Sequence, residues 1–578
     1  MKKRIASLIL CIMCLISTFV IVTVPAQAAG ETSIVTLDGQ QFSFYEFRTS
    51  WSYAVYLART TGREVIFKLC QDYYPWTSSG SIKFNGTKYK YSKYDFGVNI
   101  RACDIGMGLA STDKIDAFRK GAIFVPSGAK ITIDLNGFCL DRREGSKTRD
   151  DGEVINVASG GTLTIIDSNP YANHGDYLGG GIIGGSSGDG AGGIHVNGTL
   201  NMKAGTIYKC NTDEHGGGIY VNGGTVNITG GGIVKCETDD SWDNCHGGGI
   251  YVDGGRCNIS NCVIRNCDSE DDGGAIYVDS GKLVCRNVRF LNNHANDEGG
   301  AVYIWEGTSS FDGCTFSSNS TSDGDNGGAL YINTRAKYKH SVKNCVFDYN
   351  TAGDGGAIFI DDGEVEIINS RFDQNYAKDE DGGAIYINSP DGVYLIDNVF
   401  TNNRCSDEGG AVYINRDNVI VSGVIMTGNR SKNHGGAIYV DSFNDLNIQG
   451  YCRILDNHSD KKHTDNIALQ DGIATRAFVY VGSIEEGSII HIASTEKGEI
   501  NLTKGSTMSQ YQYSHYFVAD GSTFKFVDVK EKKVPFITSV FSHTWSGVTF
   551  IVGVAVIIGA FVYCLVIKIK KKKGDSEQ

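Results

Sequence analysis

Nine aromatic residues recur at one fixed place in a repeated motif. In residues 273–279, which read Gly-Gly-Ala-Ile-Tyr-Val-Asp, Ile276 and Val278 share one parity, while Tyr277 and Asp279 share the other. Side chains alternate between the two faces of a strand, so the aromatic residue and the polar residue two positions later are expected to face outward together. The aromatic positions are Tyr220, Tyr251, Tyr277, Tyr303, Tyr331, Phe359, Tyr386, Tyr413 and Tyr439. The polar positions are Asn222, Asp253, Asp279, Trp305, Asn333, Asp361, Asn388, Asn415 and Asp441.

If the repeats stack, these residues form a flat aromatic stripe bordered by carboxylates and amides. Such a strip is a platform for sugar rings or for another protein, because amphipathic aromatic residues carry interfaces of this kind. The candidate ligand-binding residues are therefore the nine aromatic residues together with Asp253, Asp279 and Asp361. The alternative is that the rings only cover one another and stabilise the stack through same-face contacts between strands. Stacking alone would explain the regular spacing.

Acidic residues cluster just before the repeated glycine pairs. Stacked at one corner, like charges repel each other unless they are fully solvated or share a cation. Calcium prefers oxygen ligands of this kind, so the sequence predicts no cofactor other than a possible calcium ion. The candidate calcium ligands are Asp271, Asp272, Asp297, Glu298, Asp381 and Glu408. A solvated, solubilising acidic edge is the alternative.

The elements that must position these residues are visible as a repeat. The glycine-pair motif occurs in ten copies 25 to 31 residues apart, beginning with a weak copy at Ala191. A second motif, Phe-x-x-Asn, keeps step with it, as in residues 290–293, and earlier copies carry Cys at the Asn position. A period of about 27 residues with three short strands is the size of one coil of a parallel β-helix. The sequence therefore predicts an all-β parallel β-helix of about ten regular coils, with Ile/Val, Phe and Asn columns stacked along it.

The paired motifs resemble the repeats of the chlamydial polymorphic membrane proteins and, more broadly, the right-handed β-helix surface proteins of Gram-positive gut bacteria. The likeness covers about residues 190–460. It implies a right-handed helix, and the chlamydial family's involvement in adhesion implies an adhesive role.

Parallel β-helices also include polysaccharide lyases and hydrolases, and three short motifs resemble polygalacturonase signatures. These are Asn-Thr-Asp at 211–213, Asp-Asp at 239–240 and Cys-His-Gly at 245–247. In that family the His motif follows the Asp pair by about one coil, whereas here both share one loop. An inverting site also needs two carboxyl groups about 6.5–9.5 Å apart, which solvent-edge acids meet only by accident. We therefore expect no enzyme, and keep a lyase or glycoside hydrolase as the alternative.

Fourteen cysteines lie between residues 29 and 528, mostly at ladder positions such as Cys210, Cys236 and Cys267. There they are expected to act as small buried hydrophobic residues. Stacked coils do bring such cysteines within disulfide range, so an occasional bridge stays open. The only cluster worth naming as a zinc site is Cys236, Cys245, His246 and Cys257.

The two ends of the sequence predict export and anchoring. Residues 1–28 have the basic start, apolar middle and Ala-x-Ala close of a signal peptide. Residues 544–567 carry no charged side chain and precede five lysines, which predicts one transmembrane helix with a cytoplasmic tail at 568–578. We expect a single-pass protein of the cell membrane with its N-terminal ectodomain outside. Between the ends we expect a mixed α/β cap (29–150), the β-helix (151–470), a C-terminal β cap (471–528) and a stalk (529–543).

The formal net charge of -13 argues against nucleic acid as a partner, because neutralisation of phosphates supplies most of such affinity. The sequence thus favours a cell-surface adhesin, or a rod that binds a polysaccharide or a host surface protein. A structural spacer without a ligand is the remaining alternative.

Overall fold

Short parallel strands stacked coil upon coil make up most of the molecule in a computed structural model. It describes residues 31–143, 152–188, 190–239, 244–334, 338–388, 391–416, 419–441, 445–460 and 466–469, and strands Phe478–Ile484, Ile489–Ser494, Ile500–Thr503, Ser506–Met508, His515–Asp520 and Thr523–Val527. The predicted all-β parallel β-helix of about ten coils is confirmed. The predicted signal peptide, stalk, transmembrane helix and cytoplasmic tail lie outside the described residues.

Most coils contain four strands rather than the three predicted. In one coil they are Ile358–Asp362, Glu364–Ile368, Arg371–Asp373 and Tyr376–Ala377. The first three types join a sheet of 43 strands that wraps around the axis, and the fourth forms a separate sheet of 11 two-residue strands. A two-residue strand is too short to show an alternating pattern, so the fourth strand cannot be recognised from the sequence.

The strands of successive coils stack in four columns along the rod. The first column comprises Ala122–Val125, Ile155–Val157, Ile194–Val196, Ile219–Asn222, Val302–Ile304, Leu330–Asn333, Ile358–Asp362, Ile385–Ile387, Val412–Ile414, Ile438–Val440 and Ile467–Leu469. The second comprises Glu64–Leu69, Lys130–Asp134, Thr162–Ile166, Thr199–Met202, Thr225–Ile228, Thr308–Asp312, Lys339–Lys343, Glu364–Ile368, Gly392–Ile396, Val419–Ser422, Asp445–Gly450 and Phe478–Ile484. Two long strands span both columns, Ile250–Ser260 and Ile276–Arg286.

The remaining two columns complete the coils. The third comprises Cys139–Asp141, Gly181–Ile183, Thr206–Tyr208, Gly232–Val234, Val263–Arg265, Arg289–Leu291, Thr315–Ser317, Val346–Asp348, Arg371–Asp373, Val399–Thr401, Ile425–Thr427 and Arg453–Ile454. The fourth comprises Ser186–Ser187, Asn211–Thr212, Glu237–Thr238, Asp268–Ser269, His294–Ala295, Ser320–Thr321, Thr351–Ala352, Tyr376–Ala377, Arg404–Cys405, Arg430–Ser431 and His458–Ser459.

Identical residue types face each other in neighbouring coils because the strands pair in parallel register. Ile276 pairs with Val302, and Tyr277 pairs with Tyr303. The Ile and Val side chains point inward and are fully buried. Shifting one strand by a single residue would turn its apolar side chains to the solvent, so this pattern fixes the register.

A column of phenylalanine rings fills one side of the core, as predicted. Phe290, Phe316, Phe347, Phe372 and Phe400 have no exposed surface. Their successive ring centroids lie 4.6 to 4.8 Å apart with nearly parallel planes. This spacing matches the distance between hydrogen-bonded strands, so each ring contacts the rings of the coils before and after it.

The predicted asparagine ladder is present and carries the turn after the third strand. Asn350 is fully buried, and its Nδ2 donates to Phe316 O at 3.0 Å and to Asn375 Oδ1 at 2.9 Å. Its Oδ1 accepts the backbone N–H and the side-chain amide of Asn319, both at 3.0 Å. Earlier in the rod Cys236 takes the same place, with its Sγ 3.8 Å from Ile207 O.

We expect Asn350→Ala to lower the free energy of unfolding by about 2 kcal/mol, because it leaves buried backbone groups without partners. Asn296→Ala is the control, since the Asn296 side chain donates an exposed hydrogen bond to Glu270, accepts a long one of 3.4 Å from Ser322 Oγ, and lies outside the buried ladder. Urea unfolding followed by circular dichroism measures both variants. Equal midpoints for the two would contradict a stabilising ladder.

The glycine pairs mark a tight corner before each first strand. Gly273 has φ +67°, a conformation that other residues rarely adopt. A Cβ on Gly274 would lie 2.0 Å from His294 O in the next coil. The first glycine therefore supplies backbone freedom, and the second allows close approach between coils.

A helix covers the N-terminal end of the stack. Helix α1 comprises Phe47–Thr61 and is followed by Gly62, which adopts the left-handed conformation. Trp51 is fully buried and donates its Nε1–H to Ala117 O at 2.8 Å. Strands Ser33–Leu37 and Gln40–Phe44 pair antiparallel, and strand Glu64–Leu69 joins the second column. The cap also contains strands Gly80–Phe84, Thr87–Tyr91 and Phe118–Arg119, and the 3-10 helix Ala102–Ile105.

At the C-terminal end the parallel order changes. Ile489–Ser494 pairs in parallel with Arg453–Ile454 and Ile467–Leu469, and antiparallel with His515–Asp520. Among the residues that the structure describes, no helix has the length and apolar character needed to cross a membrane. All fourteen cysteines between Cys70 and Cys452 are free thiols, and twelve of them are buried.

Candidate functional site

The nine aromatic residues stack in one row, as their spacing predicts. From Tyr251 to Tyr439, successive ring centroids lie 4.6 to 5.4 Å apart with near-parallel planes. Tyr220 tilts by 54° against Tyr251 at the start of the row. The row lies on the outer side of the first strand column.

Seven of the nine rings are nevertheless buried, and Tyr220 and Tyr386 are half-buried. Tyr277 and Tyr303 are only 6 % and 5 % exposed, because each ring face is covered by the ring of the neighbouring coil. Burial raises the pKa of Tyr303, and the nearby Asp272 carboxyl raises it further. The ring faces are thus closed to a sugar or a protein, and the geometry favours a stabilising role for them. Ligand binding by the ring edges stays a prediction.

A second row of side chains packs along the aromatic row and was not recognised in the sequence. It consists of the residues directly before each glycine pair, called here the pre-glycine row. His215 stacks on Tyr251 at 4.2 Å, and His246 stacks on Tyr277 at 4.3 Å. The members are His215, His246, Asp272, Glu298, Asn326, Asp354, Asp381, Glu408 and His434.

The backbone holds the pre-glycine row in register. The N–H of Gly273 donates to Glu298 O, and the N–H of Gly355 donates to Asp381 O, both at 3.0 Å. The same bond recurs at the other coils from Gly216 to Gly409. The sequence signal for this row is its fixed position directly before the glycine pair. Because that position is occupied by His, Asn or acidic residues, no single residue type indicates that the row packs along the aromatic rings.

The stacked carboxyl groups of this row strongly influence one another. Burial raises the pKa of Asp272 to about 9, with repulsion and a hydrogen bond from Glu298 adding to the shift. Burial and the nearby Asp354, Glu408 and Asp407 carboxyls raise the pKa of Asp381 to about 8. Near neutral pH, the carboxyl groups of this row are therefore either protonated or ionised. Ionisation carries a free-energy cost that a bound cation would reduce.

The structure brings some of the predicted calcium ligands together. Oxygen atoms of Asp272, Asp297 and Glu298 lie within 4.8 Å of one another, and so do those of Asp354, Glu380 and Asp381. Asp271 instead accepts the backbone N–H of Cys245, and Glu408 donates its N–H to Asp381 Oδ1 at 2.7 Å. Calcium binding at these loops stays a prediction.

The polar row beside the aromatic rings faces the solvent. Its residues are half-buried or exposed. Asn388 donates to Asp361 Oδ1 at 2.6 Å, and Asn415 donates to Asn388 Oδ1 at 2.7 Å. Trp305 interrupts these amides and carboxylates with an indole ring that is 46 % exposed. Burial and the neighbouring Asp253 and Glu306 carboxyls raise the pKa of Asp279.

Among the described residues, the carboxyls that lie within 4.0 Å of His246 are those of Asp271 and Asp272, neither of which belongs to the motifs that resemble polygalacturonase signatures. Asn211 and Thr212 are buried in a fourth-column strand, and Asp240 lies outside the described residues. His246 Nδ1 instead lies 3.4 Å from Asp272 Oδ2 in the pre-glycine row. The four residues named for zinc also form no converging group among the described side chains.

Comparison with known proteins agrees with this architecture. The family model described as right handed beta helix region matches residues 114–400. The model of the Chlamydia polymorphic membrane protein repeat matches residues 399–415 and 423–441. No curated protein and no solved structure gives a match.

The stacked coils and this match define the class, a right-handed parallel β-helix. Residues 114–400 match the right handed beta helix family, and two segments in the later coils match the Chlamydia polymorphic membrane protein repeat. The predicted resemblance is confirmed for both.

Proposed function

We propose that the chain is a cell-surface β-helix rod that acts as an adhesin and binds a polysaccharide or a host surface protein. In this proposal residues 1–28 direct export, and residues 544–567 anchor the rod in the cell membrane with the C-terminus in the cytoplasm. The repeats at 399–441 support a surface location, because the family they match is named for membrane proteins.

The observation that carries the binding role is the polar row with Trp305 at its centre. Trp305 follows Val302–Ile304, whose backbone pairs in register with Ile276–Arg286. Its indole is 46 % exposed, while the Tyr303 ring of the same strand lies 6.4 Å away and is buried. An exposed indole beside carboxylates and amides can stack on a sugar ring while polar groups bond its hydroxyls.

The buried aromatic row contributes rigidity to this proposed surface. Side chains that are held on a regular β-scaffold lose little freedom when a ligand binds, so less of the interaction energy is spent on ordering them. The aromatic residues themselves are then unsuitable for mutation to Ser, since that change would remove buried ring contacts along with any binding.

We expect Trp305→Ala, combined with Asp279→Asn, to weaken ligand binding by the full chain at least about tenfold, since exposed aromatic anchors dominate such sites. A glycan and host-protein array identifies the ligand, and titration compares the variants. Tyr171→Ala is the matched control, because Tyr171 is 83 % exposed and lies away from the polar row. Unchanged binding by the Trp305 variant would contradict the proposed site, and an array without any ligand would favour a spacer.

A further inference from the structure

The N-terminal cap contains a hairpin that stands apart from the coils. Its strands, Gly80–Phe84 and Thr87–Tyr91, form a separate two-stranded sheet. Asn85 and Gly86 make the turn, both with positive φ, as is typical of a two-residue hairpin loop. The antiparallel register places Lys83 opposite Lys88.

The two faces of this hairpin differ in chemistry. Phe84, Tyr89 and Tyr91 are half-buried on the face that packs on the cap. Tyr89 OH donates to Asp104 Oδ2 at 2.5 Å, and the Tyr91 ring stacks on Trp76 at 3.9 Å. The alternate positions place Lys83, Lys88 and Lys90 on the opposite face, where all three are exposed.

These three lysines form no ion pair within residues 31–143, which the structure describes without a gap around the hairpin. The exposed Lys339 of the rod, by contrast, pairs with Glu364 at 2.7 Å. Residues 80–91 contain no acidic side chain, although the chain as a whole carries a net charge of -13. Like charges directly opposite each other in a hairpin are destabilising, so the facing pair Lys83 and Lys88 adds a cost to this hairpin.

We propose that the outer face of this hairpin binds an anionic polysaccharide, one that carries sulfate or carboxylate groups. The inference rests on the proposed function, because it requires the rod to be outside the cell. Three ammonium groups on flexible stems are suited to point-charge contacts with anionic groups along a polymer. The hairpin would act as a second ligand site, separate from the polar row.

The same face is less suited to other anionic partners. Stable attachment to a lipid surface needs an apolar insertion beside the charges, and here the apolar side chains face the cap. A second copy of the chain would bring its own net charge of -13, which opposes association at long range.

Binding of the full chain to immobilised dextran sulfate and to polygalacturonate tests the inference. The triple variant Lys83→Gln/Lys88→Gln/Lys90→Gln is expected to weaken binding at least about tenfold, because three charge-assisted contacts are removed. The control, Lys339→Gln/Lys343→Gln/Lys378→Gln, removes the same charge from lysines that are paired with acids on the rod. Binding by the control is expected to stay within about twofold of the unaltered chain, since its charges are already neutralised locally.

Equal loss in the two triple variants would overturn the inference, since it would reflect net charge alone. Binding of the unaltered chain to anionic phospholipid vesicles but to neither polysaccharide would also overturn it. Circular dichroism and thermal melting check that the hairpin variant folds, and Lys88→Gln alone replaces it if it does not. The Trp305→Ala variant keeps the two proposals apart: it should retain polyanion binding, whereas failure of the proposed function would appear as unchanged array binding in that variant.

Discussion

Phe347→Ala is expected to lower the free energy of unfolding of the rod by about 4 kcal/mol, as for other large buried aromatic residues. Phe347 has no exposed surface and lies between Phe316 and Phe372, at ring distances of 4.6 and 4.8 Å. Removing it leaves a cavity that breaks the column on both sides. The surrounding coils cannot close around the gap, because their backbones are fixed by strand pairing above and below.

Denaturant unfolding followed by circular dichroism measures this loss. Tyr349→Ala is the matched control, because it removes a neighbouring aromatic ring that is 53 % exposed. We expect the control to cost less than about 1 kcal/mol. A similar loss in both variants would contradict a structural role for the stacked column.

The second large effect is an unusual dependence of stability on pH. Asp272 and Asp381 have pKa values raised to about 9 and about 8 in the folded chain, against an ordinary value of 3.8. Between pH 4 and pH 8 the folded state therefore binds more protons than the unfolded state. The contribution of these two carboxyls to stability then falls as pH rises through this range, because each binds its proton more tightly in the folded state than in the unfolded state. We expect the rod to be more stable at pH 5 than at pH 8.5.

Thermal melting of the full chain at these two pH values tests the prediction. Asp381→Asn should remove part of the difference by stabilising the rod at pH 8.5, since the amide keeps the acceptor for the Glu408 N–H without the charge. Asp323→Asn serves as the control, because its side chain is 95 % exposed. If calcium binds the pre-glycine row, millimolar calcium should raise the melting temperature at pH 8.5 and leave it unchanged at pH 5. A rod that is least stable at pH 5 would contradict the raised pKa values.

The Phe and Asn columns could be predicted from the sequence because each recurs at a fixed offset within a coil. In a parallel in-register stack, residues at equal offsets must touch, so Phe316, Phe347 and Phe372 had to form a column. The same logic extends to the Cys residues that take the place of Asn, such as Cys236. In a repeat protein of this kind, residues that recur at one position of the motif can therefore be predicted to contact one another in neighbouring coils.

The burial of the aromatic row could not be predicted in the same way. Alternation shows that Tyr277 lies on the outer side of its strand, but not what packs over that side. The covering residue, His246, lies in the preceding coil and reaches Tyr277 only because the glycine corner turns the chain tightly. His246 belongs to the pre-glycine row, which contains several residue types, so no single residue type identifies that row in the sequence.

The N-terminal hairpin lies outside the repeat, and its position could not be inferred from periodicity. Asn85-Gly86 between alternating residues is nevertheless a strong hairpin signal in the sequence. Its lysines become informative only once the structure shows that, within residues 31–143, they form no ion pair. Local sequence signals thus predict the hairpin itself. The ion-pair partners of its side chains can be identified only from the packed structure of the cap.

The most direct test of a surface rod that binds through its polar row is adhesion of intact cells carrying the full chain to a glycan and host-protein array. We expect these cells to bind specific spots, and cells carrying the Trp305→Ala/Asp279→Asn chain at equal surface density to lose that binding. If cells with the full chain bind no more than cells that lack it, the account is contradicted.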